Sequence, residues 1–382
     1  MSEISNFQDQ PIVESMLPVL QIVSGFSPDI DGMGDFSRHL GNALLKERNI
    51  RSHFLVYRRP RQALNVAEIA PNSISYPPDA TPAALLSHAS ELVRSNHFRA
   101  VLLHYGPYAY SRDGKPHAVQ EAITALAAKT RMLVYFHELY ATGRPWRRSF
   151  WTNSEQRKSV SNLLDCSIGA FTSNDEYLEK LQALNQGNRS LTKMPVISNI
   201  GEPAAPPPLV DRQRRMVAFG QAANRARLYE EYRLTIERIC KKLKVVEWVD
   251  VGSGDISQIP KMIGDVPVHI MGRLEDGPLS SLLADSAFGI VAYWPDVWEK
   301  SGVIAAYQAH AMIPILIPLQ RRRIATSAPL PYVLPEVILE SLSDDFGSTS
   351  LKLQSLADNA YNLYRTNQSV ERCVEVISPY II

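Results

Sequence analysis

The chain has 382 residues, 45% of them apolar and 21% charged, with a formal net charge of +1. That length predicts two domains, each large enough for its own core; the near-zero charge gives no electrostatic reason to expect a nucleic-acid partner, and no run approaches the roughly 20 apolar residues that a membrane-spanning helix needs. The polar, acidic opening MSEISNFQDQPIVESM is not the pattern of a secretory signal, and Cys166, Cys240 and Cys373, far apart and odd in number, read as buried, reduced thiols of a cytoplasmic protein rather than a disulfide framework or a metal site.

The first predicted strand, 19–24, breaks into Gly25, and the following stretch 34–48 carries Phe36, Leu40, Ala43 and Leu44 at helical spacing. Further strands are predicted at 54–57, 100–104, 132–136 and 167–171, with helical patterns such as 118–129 and 175–184 between them. Residues 199–215, NIGEPAAPPPLVDRQRR, are Pro-rich and extended, as an interdomain connector is. The alternation then restarts with strands at 216–219, 245–251, 268–271, 288–292 and 313–317, a long helix at 227–241, and a closing helix at 351–364 before a short apolar tail. Near-continuous apolar strands separated by amphipathic helices imply parallel sheets covered on both faces. The expected architecture is therefore α/β: two Rossmann-like, doubly wound parallel-sheet domains, 1–200 and 216–365, facing a central cleft. A linker at 201–215 joins them, and 366–382 forms a tail that packs back on the first domain.

Several segments carry residues suited to chemistry. The turn after the first strand holds Gly32 and Gly34. It either brings backbone amides and a helix N-terminus to an anion or is a plain strand-to-helix turn that needs glycine; without a third glycine and an acidic end to the second strand it is not the dinucleotide fingerprint. Two strands end in histidine, His104 in HYGPYAY and His137 in HELY, where a doubly wound sheet meets its cleft, and aromatics such as Tyr105 and Tyr108 suit stacking on sugar faces. The segment RPWRRSFW, which contains Trp146, grips an acidic or phosphorylated acceptor, lies on a membrane surface, or is a solvated loop whose tryptophans pack into a core. In the second half Gly220 permits a tight turn, and Arg225 and Arg227 stand at the next helix start. Guanidinium groups there can hold a diphosphate bidentately and stabilise the charge that grows on a departing nucleotide. The stretch YWPDVWEKSG, with Glu299, Lys300, Ser301 and Gly302, offers a carboxylate to sugar hydroxyls beside a helix N-terminus suited to phosphate. The triple arginine at 321–323 reads as a solvated face.

Assembled, these residues resemble the retaining glycosyltransferases of the GT-B fold, family 4 type, over nearly all of 17–365. The resemblance implies a Gly-rich turn under the donor diphosphate at Gly32 and Gly34, a histidine on the transferred sugar at His137, and a basic residue on the diphosphate at Arg225 or Arg227, without the lysine usual beside it. The family signature, two glutamates with seven residues between them, an inner Gly and a closing Pro, is met by Glu299, Gly302 and Pro314; Tyr307 replaces the second glutamate and Met312 the late glycine. Glu299 is thereby implied to hold the donor sugar. Gly220, Lys300, Ser301, Gly302 and Tyr307 fall at donor-binding positions, and His104, Tyr105, Tyr108, Glu138 and Trp146 on the acceptor side. The segment FHELYATGRPWRRSFW is similar to that of a bacterial subgroup of such transferases.

What the resemblance implies is sugar transfer from a nucleotide-diphosphate sugar to an acceptor, whether glycan, lipid-linked or small molecule. His137, Glu299 and Arg227 would be catalytic, the anomeric configuration retained, and neither a metal ion nor a cofactor used. The enzyme would be cytoplasmic or membrane-peripheral. Tyr307 keeps open a relative that binds a nucleotide sugar or glycan without transferring it. The same two-lobed frame also serves epimerases and phosphorylases, although no convincing cofactor lysine is present.

Overall fold

A computed structural model of the chain describes residues 16–26, 32–60, 71–142, 146, 148–254, 259–319, 330–341 and 346–382. The first domain runs β1 (Leu17–Val23), α1 (Gly32–Arg48), β2 (Ile50–Val56), β3 (Ser73–Ser75), α2 (Pro82–Asn96), β4 (Ala100–Tyr105), α3 (Pro107–Tyr110), α4 (His117–Ala127), β5 (Met132–Phe136), α5 (Arg148–Asp165), β6 (Gly169–Thr172), α6 (Asp175–Leu184) and β7 (Ser190–Lys193). The second runs β8 (Gln213–Phe219), α7 (Ala222–Glu230), α8 (Arg233–Lys242), β9 (Glu247–Val251), β10 (Met262–Ile263), β11 (Val266–Gly272), α9 (Asp276–Ala284), β12 (Ser286–Tyr293), α10 (Gly302–Ala309), β13 (Ile313–Pro318) and α11 (Pro335–Ser341). Two helices close the chain, α12 (Phe346–Asn367) and α13 (Val370–Ile377).

The first sheet has the order β3-β2-β1-β4-β5-β6-β7 and is parallel throughout. Its central strands are buried along their whole length, β4 and β5 at every residue, because helices cover both faces. Alternate residues divide between the two faces. Leu20, Ile22, Leu103 and Val134 pack under α2, α4 and α5, and Val19, Leu102 and Leu133 pack under α1. The second sheet, β10-β11-β9-β8-β12-β13, is parallel except for the β10–β11 hairpin.

The C-terminal helices bridge the molecule. Helix α12 packs on α10 and β13, and α13 lies against α1, where Cys373, Val374, Ile377 and Ile381 join the core of the first domain. The Tyr380 ring meets Phe171 edge-on at 5.4 Å.

Besides the antiparallel β10–β11 hairpin, where a parallel sheet was expected, the structure departs from the sequence-based expectation in four places. Residues 227–241 form two helices, because the backbone leaves helical geometry at Tyr232 (φ −121°, ψ 15°). Strand β8 begins inside the Pro-rich stretch, where Arg215 pairs with Glu247 at 2.6 Å and Arg212 donates to Pro207 O at 2.8 Å and His310 O at 2.7 Å. The edge strands β3 and β7 carry no apolar run, since an edge strand needs little of one. Cys240 and Cys373 are buried, but Cys166 is only half-buried.

Candidate functional site

The carboxyl ends of the first sheet form one rim of the cleft. In the first turn of α1, a Cβ on Gly34 would lie 2.7 Å from Gly25 O, so backbone packing alone demands glycine there. At Gly32 a Cβ would meet nothing within 4 Å, and packing makes no such demand; residues 27–31 of this turn lie outside the described residues. Phe36, one turn on, sits edge-on to both His104 and His137, with centroids at 5.8 and 5.2 Å. Burial pushes the His104 imidazole down to about 3 and holds His137 well below the ordinary histidine range, so both rings are neutral. Glu138, the next residue after His137, is exposed, as is Tyr108 on α3.

On the opposite rim, Gly220 ends β8 with φ +118°, a backbone that favours glycine. Arg227 lies on α7 with its guanidinium 5.7 Å above the Trp294 ring, and among the described residues it has no carboxylate partner. A 3-10 turn at Pro295–Lys300 leads into α10, whose N-cap is Ser301, accepting from Ile304 N at 3.2 Å. Gly302 opens the helix against Asn199 of the connecting segment, where a Cβ would approach Asn199 Cβ to 3.2 Å.

The rims meet. Lys300 Nζ donates to Tyr177 OH at 2.9 Å and lies 4.6 Å above that ring. After burial and His104, its charge is a further influence keeping His137 neutral. Burial first, and then Tyr177 and Glu138, push the Tyr293 hydroxyl up to about 12, which places Tyr293 beside the first domain. Glu299 faces Lys193, which reaches it at 3.1 Å and Asp175 at 2.8 Å; burial raises the Glu299 carboxyl against the pull of Lys193. This pair lines a pocket of about 360 Å³ with Trp298, Pro331 and Arg372. Farther along, Arg38 of α1 donates to Asp276 at the start of α9 at 2.7 Å.

Four expected site residues lie elsewhere. Arg225 is 3% exposed, ion-pairs with Asp250, and donates to Gly220 O at 3.0 Å and Ser253 O at 2.7 Å. It braces two loops of its own domain and presents no fork to a diphosphate. Tyr307 is fully buried; its hydroxyl lies 2.9 Å from Val217 O and 3.1 Å from Ile290 O, and it accepts from Phe219 N at 3.3 Å. It pins β8 to β12 inside the core. Tyr105 is 1% exposed among the apolar residues under α4 and α5, because strand alternation turns it to the face opposite His104. His104 is itself fully buried and lies behind His137 rather than at the rim.

Trp146 is 73% exposed, as is Trp151 at 72%, so these tryptophans are not core residues. Residues 143–145 and 147 lie outside the described residues, as do 321–323. Gln21, Lys193, Tyr177 and Asp250 were not among the expected residues. Gln21 and Asp250 were visible as polar residues inside apolar strands.

Among the described residues, no group of three or more His, Cys, Asp or Glu is placed to hold a metal ion, and no helix is long and apolar enough to cross a membrane. No protein-family model matches the sequence, and no curated protein does either. Solved structures do match. An alpha-glucosyltransferase in complex with UDP aligns with TM-score 0.60 and 12% identity over 96% of this chain and 100% of that one, and is also solved with UDP and DNA. The sucrose-phosphate synthase of Thermosynechococcus elongatus aligns with TM-score 0.61 and 12% identity over 95% and 98%. A Listeria monocytogenes protein described as a UDP-N-acetylglucosamine 2-epimerase aligns with TM-score 0.60 and 14% identity over 95% of each chain. Two parallel-sheet α/β domains, matched end to end by these structures, give the chain the GT-B fold.

Proposed function

We propose that the chain is a glycosyltransferase that moves a sugar from a nucleotide-diphosphate donor to an acceptor with retention of configuration and without a metal ion. The observation that carries the reading is a pair of cations at the gap. Arg227 and Lys300 have no carboxylate partner among the described residues, and Lys300 sits close enough to the neutral His137 to disfavour its protonation. Two unpaired cations in one cleft suit a diphosphate whose charge grows as the sugar leaves. Lys300, from the turn before α10, would supply the lysine missing at the start of α7. His137 would meet the sugar, and Glu299 would follow once its carboxylate leaves Lys193. Gly32, Gly34, Gly220, Ser301 and Gly302 would shape the backbone around the donor. The leaving diphosphate then takes the acceptor's proton while the acceptor attacks the same face of the sugar. Tyr108, Glu138 and Trp146, exposed beyond β4 and β5, would meet a glycan, a lipid-linked or a small-molecule acceptor. The net charge of +1 argues against nucleic acid in that place.

The fold also houses an epimerase, so turnover decides. Incubation with a panel of nucleotide-diphosphate sugars should release free nucleotide diphosphate, and the same diphosphates should raise the melting temperature. Arg227→Ala and Lys300→Ala should each lower release about a hundredfold. A second reading, binding without transfer, is favoured by the burial of Tyr307 at a position where the related signature has a carboxylate. Stabilisation by nucleotide sugars with no release from any donor would select it. Neither binding nor release would end both readings.

A further inference from the structure

A polar row crosses the interior of the first sheet, where parallel strands normally carry apolar residues. Ser52 on β2, Gln21 on β1 and His104 on β4 are fully buried, and His137 follows the end of β5 at 9% exposure. Gln21 Nε2 donates to Ser52 Oγ at 2.8 Å, Gln21 Oε1 lies 2.8 Å from His104 Nε2, and His104 Nδ1 lies 3.1 Å from His137 Nε2. Helix α1 leaves room for the row: a Cβ at Gly41 would come within 3.0 Å of Ser52 Oγ and 3.2 Å of Gln21 Nε2. The Tyr135 ring, 6.2 Å from His104 and 4.3 Å from His137, walls both imidazoles together with Phe36.

A neutral imidazole has one N–H and one bare nitrogen, so each bond in such a row fixes the next. The Gln21 amide is oriented with Nε2 on Ser52 Oγ and Oε1 on His104, and that orientation sets the rest of the row. His104 Nε2 must then hold the proton, and its bare Nδ1 can only accept. His137 Nε2 must donate to it, and the proton of His137 is thereby assigned to Nε2. Its Nδ1 is bare, with no partner among the described residues. Only this last member of the row reaches the cleft, next to Lys300 and the first turn of α1.

We propose that Gln21 and His104 are positioning residues that lock His137 in one neutral tautomer, protonated on Nε2, so that Nδ1 meets a hydroxyl of the donor sugar as an acceptor. The sugar in this statement rests on the transferase reading; the tautomer does not. Apolar residues would fill the same volume without the desolvation cost, and the row instead delivers a defined hydrogen-bonding face to the site.

The test is the tautomer of His137 in the full-length protein labelled with isotopic nitrogen in histidine. It is read from long-range proton–nitrogen correlations across about pH 6 to 8, with the signals identified by their loss in His137→Gln. The expected result is a single tautomer with Nδ1 bare, giving way to two exchanging forms in His104→Phe, which keeps ring volume against Phe36 and Tyr135, and in Gln21→Leu. A proton on Nδ1 in the unaltered protein would overturn the proposal, as would an unchanged single tautomer in whichever variant folds. If neither variant folds, the unaltered protein's tautomer alone still decides. Because no donor is present, a locked tautomer in a protein that transfers no sugar retains the relay and removes only the transferase reading. The opposite pair of results does the reverse.

Discussion

Each domain buries a polar network near the carboxyl ends of its strands, and the two networks end differently. In the second domain Arg225, Asp250, Tyr229 and Trp248 close on one another: Tyr229 OH donates to Asp250 at 2.5 Å and accepts from Trp248 Nε1 at 3.0 Å, while Arg225 ion-pairs with the same carboxylate. Every member is satisfied inside the domain. In the first domain the row from Ser52 runs outward and stops at His137 Nδ1, which has no partner among the described residues. A closed network holds loops in place, whereas an open one presents a group. By that criterion Arg225 is structural and Arg227, two residues on, is available to a ligand.

The strongest way to break this contrast is Arg225→Ala. It leaves Asp250 buried without its counter-charge and should cost about 3–5 kcal/mol of stability, read from urea unfolding. A variant that folds normally but no longer binds nucleotide diphosphate would refute the structural assignment. Arg227→Ala should show the reverse pattern, with unfolding shifted by no more than about 0.5 kcal/mol beside the loss of turnover already described.

Tyr307→Phe sharpens the comparison at smaller scale. It leaves backbone groups of β8 and β12 short of a partner and should cost about 1–2 kcal/mol, with the affinity for nucleotide diphosphate unchanged in a titration. A weakened affinity at unchanged stability would return Tyr307 to the donor site.

A further contrast concerns pH. Burial lowers His104 from about 6.5 to about 3 and also lowers His137. Between those values the unfolded chain binds protons that the folded one refuses. Stability is therefore full above about pH 6.5 and falls as the pH drops below it, by about 1 kcal/mol per pH unit for each such group. His39 and His310, both lowered to about 4 chiefly by burial, contribute in the same direction. The share of His104 is the difference between the denaturation midpoints of the parent and His104→Phe at pH 7 and 5; equal slopes would show that the row is not buried as described.

Much of the architecture was legible before any coordinates. Ten strands were placed by apolar runs bounded by turn residues. The polar edge strands β3 and β7 left no such trace, and the break between α7 and α8 falls in a sequence that keeps helical periodicity throughout. The glycine turn, His137 and the segment from Glu299 to Gly302 stood out as candidates because strand ends and helix starts are where a doubly wound sheet gathers its ligand groups.

The sequence by itself determined two parallel-sheet domains and a gap rimmed by their strand ends, because burial on both faces of a sheet forces an unbroken apolar pattern that any reader of the chain can see. Only the tertiary structure decided which polar side chains face that gap. Arg225 finds Asp250 on the neighbouring strand, Glu299 finds Lys193 in the other domain, and Tyr307 finds three backbone groups in the core. Periodicity reports the face on which a residue lies; the partner that claims its hydrogen bonds comes from a distant part of the chain, and no local pattern encodes that meeting.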